Sequence, residues 1–191
     1  MTHLRELVAT GALGEVRAVY GDLLAFREFE PADRLFNPEL GGGAVLDLGV
    51  YVISFATQFL GTPDLVHAVG GAYPNGVEGQ VGILLGWSDG RYATEAIGFT
   101  APGPGRQVVA GKKGRVEVKP RFHRAEELSV HLLGSEPAEL SFPRTGVGYS
   151  HEIAHVCECI AAGLTESPVM PLDDTLAVQQ VMAEVLSQLG R

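Results

Sequence analysis

Between Gly41 and Gly61 the chain reads GGGAVLDLGVYVISFATQFLG, where Val45, Leu46, Leu48, Val50, Val52, Ile53, Phe55, Ala56, Phe59 and Leu60 leave almost no polar side. That pattern predicts a helix buried within a fold. Ahead of it, Leu4 and Leu7 mark one side of a short helix over residues 2–10, with Gly11 placed as a stop. Val16–Phe29 alternates in part and predicts a long strand, with Gly21 as a place for a bulge. Beyond Gly61-Thr62-Pro63, strand signals dominate: Leu65–Ala72, Gly79–Trp87, Arg91–Phe99, Arg106–Ala110, Arg115–Lys119, Leu128–Leu133 and Glu139–Phe142. Ser88-Asp89-Gly90 and Gly111-Lys112-Lys113-Gly114 have hairpin chemistry, which pairs neighbouring strands antiparallel. Helical spacing returns in His151–Ala162, with Ser150 as cap and Gly163 as stop. A last helix starts near Pro171, carries Asp173 and Asp174 at its positive end, and runs through LAVQQVMAEVLSQL. The order predicts an α+β domain: a large, open, mostly antiparallel sheet, with helices packed on one face and the other left for water or a second subunit.

Composition narrows the partners. The length of 191 residues suits a single domain with a substantial core, and 46% hydrophobic with 19% charged residues is the make-up of a folded chain. A formal charge of −9, with the basic residues scattered, speaks against nucleic acid or an anionic membrane as partner. The one long apolar run contains Asp47, so no membrane-spanning helix is expected, and the charged start MTHLRELVATGALGEV does not read as a signal peptide. Cys157 and Cys159, two apart on a helix, point in different directions; this argues against a disulfide and fits a reducing, cytoplasmic setting.

Candidate chemistry begins with Asp47, the single acid of the apolar helix. A carboxylate there needs a partner or a task, because burying it alone costs several kcal/mol. Tyr51, four residues on, shares its helix face, and the two read either as a buried structural pair or as a site. A competing motif is His151-Glu152-Ile153-Ala154-His155, which fits the H-E-x-x-H of zinc peptidases and is extended along one face by Cys159. Glu158 and Ala161 stand where the longer metzincin signature needs glycine and a third histidine, and Glu166 falls on a loop, so no metal is assigned. Lys112 and Lys113 read as solvated turn residues, His67, His123 and His131 as isolated histidines, and Trp87 and Phe99 as core or sheet face.

Several segments, in order, resemble the glucose–fructose oxidoreductase, inositol dehydrogenase and rhizopine catabolism (Gfo/Idh/MocA) family of NAD(P)-dependent oxidoreductases. They are GALGEV at 11–16, GGGAVLDLGVY at 41–51, GKKGRVEV at 111–118, RFHR at 121–124 and the closing stretch 148–178. Tyrosine at position 51 is similar to the subset that includes glucose–fructose oxidoreductase and the dihydrodiol and xylose dehydrogenases. The resemblance implies that residues 1–191 are one substrate-binding and oligomerisation domain. Residues 1–14 would be a remnant of the connection to a missing amino-terminal dinucleotide-binding domain. No strand–G-x-G-x-x-G–helix unit of the Rossmann type occurs in the chain, nor does the family's Glu-Lys-Pro segment. By resemblance, Tyr51 is the acid/base that exchanges a proton with a sugar, polyol or diol hydroxyl or carbonyl. A phenol with an ordinary pKa near ~10 needs a nearby cation for that task. Asp47 would bind substrate hydroxyls or orient the catalytic group, Arg34 and Asn37 would line the substrate pocket, and Gly42 and Gly43 would let a nicotinamide approach. NAD or NADP is then the cofactor of the full-length protein, with none expected on this chain alone, which is expected to be inactive. A homodimer or higher assembly through the open sheet face is implied. The alternatives are a non-catalytic dimeric interaction module and, behind it, the zinc peptidase.

Overall fold

In the computed structural model, which describes all residues except 143–145 and 147, one eight-stranded sheet has the order β2-β3-β4-β1-β5-β6-β7-β8. The strands are β1 Val16–Leu24, β2 Leu65–Ala72, β3 Glu78–Gly86, β4 Tyr92–Gly98, β5 Gln107–Gly111, β6 Gly114–Val118, β7 Glu127–Leu132 and β8 Ala138–Ser141. Every neighbouring pair is antiparallel except β1 and β4, which run parallel because β1 is laid down before the helix and inserted between two later hairpins. The predicted α+β architecture is therefore the observed one.

Alternation sorts the strands into two faces. Val19 and Leu23 of β1, Val81, Ile83 and Leu85 of β3, Ala93 and Ile97 of β4 and Val109 of β5 point into the core. They meet Val52, Ile53, Phe55, Ala56 and Leu60 of α2 (Val50–Leu60) and Val178, Val181, Met182 and Val185 of α4 (Leu172–Gln188). Side chains of this kind each contribute about 1.5–3 kcal/mol when withdrawn from water, which makes α2 the element that holds sheet and helices together. Gln188 closes the exposed edge of β2, accepting from the Ala68 N–H at 2.9 Å and donating to the Val66 carbonyl at 2.8 Å. Capping an edge strand in this way blocks further strand addition there. Pro38–Leu60 is long and apolar enough to cross a membrane by length and composition, yet half of it is buried as the core helix of this fold.

Several local expectations need correction. The first strand stops at Leu24 and not at Phe29; past it, the Ala25 and Arg27 N–H groups still reach the carbonyls of Gly98 and Phe99, but the partner strand has ended. The irregularity in β1 lies between Val16 and Ala18, whereas Gly21 has a different purpose, making room for Gln107. Ser150 is the first residue inside α3 (Ser150–Ala161), and Tyr149 holds the cap position. The buried helix begins later than Gly41 and its first turn, Val45–Gly49, is π-helical. α1 spans Thr2–Ala9, with Leu4 fully buried.

Candidate active site

The approach to α2 is built by a loop that packs on itself. Phe36 is buried among Phe29, Tyr73 and Phe99 at centroid distances of 5.2–5.6 Å, and Asn75 donates to its carbonyl at 2.7 Å, so residues 34–37 are anchored. Asp33 accepts from the Leu35 N–H at 2.8 Å and Asn37 from the Glu39 N–H at 2.9 Å, two side-chain caps that fix consecutive short turns. Gly42 and Gly43 follow. A side chain on Gly42 would come within 2.7 Å of the Arg34 carbonyl and the Asn37 nitrogen, and one on Gly43, at φ +128°, would collide with the Glu78 carboxylate. Close packing within the chain accounts for both glycines.

Glu78 was not singled out from the sequence. Only 3% of its side chain is exposed; Oε1 accepts from the Val45 N–H at 3.1 Å, and Oε2 is paired with Arg191, which also donates to the Gly42 carbonyl at 3.2 Å. A carboxylate thus occupies the positive end of the helix, where an anionic ligand would otherwise be favoured.

Asp47 and Tyr51, predicted to lie side by side, each have a different partner. Asp47 accepts from Arg34 Nη2 at 2.6 Å and pairs with it. The carboxylate beside it holds the guanidinium even further above its usual basic range. Tyr51 instead sets its ring against that of His123, with centroids 5.6 Å apart and planes at 56°. The turn containing Asp47 is π-helical. Tyr51 is 44% exposed on a helix whose neighbours Val52 and Ile53 are fully buried. An exposed phenol, an ion pair and an imidazole therefore border one end of α2. Asn37 stays with its turn, and its side chain is engaged by the Glu39 N–H.

His123 is carried by the turn Arg121-Phe122-His123-Arg124, pinned by buried Phe122 against Phe55 of α2 at 5.5 Å. Burial, then the charges of Arg124 and Arg121, depress the basicity of its imidazole below the ordinary value, so the ring is neutral at neutral pH. Single-sequence spacing held no signal for it, because the contact joins residues far apart in the chain.

A second buried acid lies under the helices. Glu95 alternates with Ala93 and Ile97 toward the core, and Oε2 accepts from Gln107 Nε2 at 2.7 Å; both pair with Gly21, one on each side of β1. Burial, partly offset by the Gln107 bond and reinforced by the Asp22 charge, pushes the Glu95 carboxyl up to about 8. A glutamate at a core-facing position of an alternating strand is a signal that the sequence does contain.

The H-E-x-x-H pentapeptide takes another course. His155 Nε2 lies 2.7 Å from the Ser167 hydroxyl, whose oxygen accepts from the Val169 and Met170 N–H groups, so the hydroxyl proton is donated to the imidazole. Cys159 Sγ is 3.5 Å from the same nitrogen, and His151 and Glu152 are exposed. His155 thus ties α3 to the loop before α4. Among the described residues no three His, Cys, Asp or Glu side chains are grouped to hold a metal.

The model of the GFO/IDH/MocA C-terminal domain matches residues 1–117. Trans-1,2-dihydrobenzene-1,2-diol dehydrogenases are similar over nearly the whole chain: that of Xenopus tropicalis is 31% identical, covering 98% of this chain and 58% of the enzyme, and that of Homo sapiens 28% identical over the same shares. Among solved structures, aldose-aldose oxidoreductase from Caulobacter crescentus, complexed with glycerol, superposes with a TM-score of 0.83 at 28% identity, covering 97% of this chain and 57% of that one. Levoglucosan dehydrogenase, in complex with NADH and levoglucosan, shares the fold with a TM-score of 0.82 at 19% identity, over 97% of this chain and 60% of that one. This chain spans 58% of the length of the first of these curated relatives. It belongs to the GFO/IDH/MocA family of oxidoreductases and has the fold of that family's C-terminal domain.

Proposed function

We propose that this chain is the substrate-binding part of an NAD(P)-dependent oxidoreductase acting on a sugar, polyol or diol, and that Tyr51 exchanges the proton with the reacting oxygen. The observation that carries this reading is Tyr51 itself, a half-exposed phenol beside fully buried Val52 and Ile53, set against the neutral His123 ring and one turn after the Asp47 that Arg34 pairs. Proton transfer to or from a carbonyl or alcohol oxygen needs a donor at hydrogen-bond distance from that oxygen, and a hydroxyl open to solvent on a rigid helix offers one. Asp47, with Arg34 neutralising its charge, can accept from a second substrate hydroxyl, and Arg34, fixed on its anchored loop, can donate to a substrate oxygen.

The residues present do not fit a dinucleotide diphosphate. The glycine-led helix start, the place where such a group would sit, is filled by Glu78. Hydride chemistry is accordingly assigned to another domain, of the kind that the longer relatives have room for. The sheet face opposite the helices, with Tyr20, Val69, Leu84 and Tyr92 exposed, is the surface proposed for pairing with a second copy.

Fluorescence titration of the 191-residue chain with NADH and NADPH tests the division of labour. No saturable binding in the micromolar range is expected. Tight binding by the chain alone contradicts the assignment.

A further inference from the structure

The turn that carries His123 has features that the proton-transfer role of Tyr51 does not use. Arg121 sits at φ +63°, the only non-glycine among the described residues in the left-handed region. Such a conformation costs of order 1 kcal/mol and persists where surrounding structure imposes it, often at a functional site. Here the Phe122 N–H bonds to the Gly105 carbonyl at 2.9 Å, the Arg124 N–H to the Arg121 carbonyl at 2.7 Å, and Phe122 is buried. The backbone is thereby held in a tight turn in which Arg121 precedes and Arg124 follows His123.

Acidic residues outnumber basic ones by 23 to 14; among the described residues seven cations have carboxylate partners, while Arg5, Arg27, Lys113, Arg115, Arg121 and Arg124 have none. Of these, Arg121 and Arg124 are the two that share one turn, and among the described residues no hydrogen bond engages either guanidinium. Both are exposed, and their charges are near enough to disfavour a proton on the His123 ring that touches Tyr51. Two like charges held together around a neutral ring in an acidic protein are stabilised by an anion, and planar guanidinium groups match the oxygens of carboxylate or phosphate.

We propose that the Arg121–Arg124 turn is an oxyanion site beside Tyr51, and that the substrate carries a carboxylate or phosphate group in addition to the hydroxyl or carbonyl that reacts. The second half rests on the oxidoreductase reading above; the site itself does not. His123 forms the neutral wall between the two arginines and the phenol, so that a ligand bound to the guanidiniums extends across the imidazole toward the Tyr51 hydroxyl.

The test is an amide and side-chain NMR titration of the 191-residue chain at constant ionic strength with four probes: sodium D-gluconate, inorganic phosphate, neutral D-glucitol and chloride. Gluconate or phosphate is expected to shift Phe122–Ala125 and the His123 and Tyr51 ring signals, with an apparent affinity about tenfold above that for glucitol. Gluconate above phosphate assigns the site to a carboxylate substrate and the reverse assigns it to a phosphorylated one; both support the proposal. In Arg121→Gly/Arg124→Gln the shifts should fall to the chloride level. Glycine accepts the left-handed conformation without strain, so this variant keeps its fold, and a wild-type-like spectrum away from the turn checks that. Shifts no larger than those with chloride, or undiminished in the variant, overturn the proposal. Because no nicotinamide and no turnover enter the titration, a negative result leaves the oxidoreductase reading standing. An anion bound by a protein that proves inactive leaves the site standing.

Discussion

Tyr51→Phe removes one oxygen from a ring that is nearly half exposed, so folding stability should change by less than about 0.5 kcal/mol in a thermal melt. Glu95 carries a larger and pH-dependent consequence. Its folded value of about 8 lies above the ordinary 4.5, so between those values the folded chain retains a proton that the unfolded chain releases. Stability therefore falls as pH rises from about 4.5 to about 8 and levels off above. Calorimetry should show the melting temperature declining across that window, and Glu95→Gln should remove most of the slope and be the more stable protein at pH 9. A flat profile in the wild type would mean that Glu95 is ionised in the core. Glu95 could have been read from its alternation with Ala93 and Ile97. The partner of Asp47 could not: Arg34 was a candidate for the pocket, but its ion pair comes from a loop folded back over the helix start.

At the scale of elements, the helix start is where the fold is least tolerant. Gly43→Ala adds a methyl group into the Glu78 carboxylate at a backbone angle that alanine avoids, and urea unfolding should report a loss of more than about 3 kcal/mol. Arg191→Ala should cost about 3 kcal/mol for a different reason, since it strands the buried Glu78 charge. The strands and helices were visible in the sequence because alternation and turn chemistry are local. The π-helical turn at Val45–Gly49 was not, since it answers a tertiary demand. Gly49 lies on Ile97, where a side chain would come within 3.3 Å, so the wide turn sits down close upon the sheet. Glu78 escaped notice because β3 shifts register at its start, opposite Ala72, and alternation fails there.

At the scale of the whole molecule, two groupings of exposed apolar side chains stand out among the described residues. One is the sheet face with Val69, Leu84 and Tyr92; the other is α3, whose Ile153, Val156 and Ile160 are at least half exposed and which buries none of its residues. Light scattering of the chain is expected to give a dimer, and Leu84→Glu on the open face should return a monomer without loss of folding; a wild-type monomer would contradict pairing through the sheet. The fold and its family were legible because motif order and spacing extend over nearly the whole chain, while the charge pattern around Tyr51 depends on contacts between distant segments. The central claim is that Tyr51 provides the proton side of an NAD(P)-dependent reaction. Its most direct test is steady-state oxidation of sugars and diols by the chain joined to a dinucleotide-binding domain, wild type against Tyr51→Phe. The account predicts a fall in kcat of about a hundredfold or more, with the melting temperature unchanged. A Tyr51→Phe enzyme as fast as the wild type would contradict it.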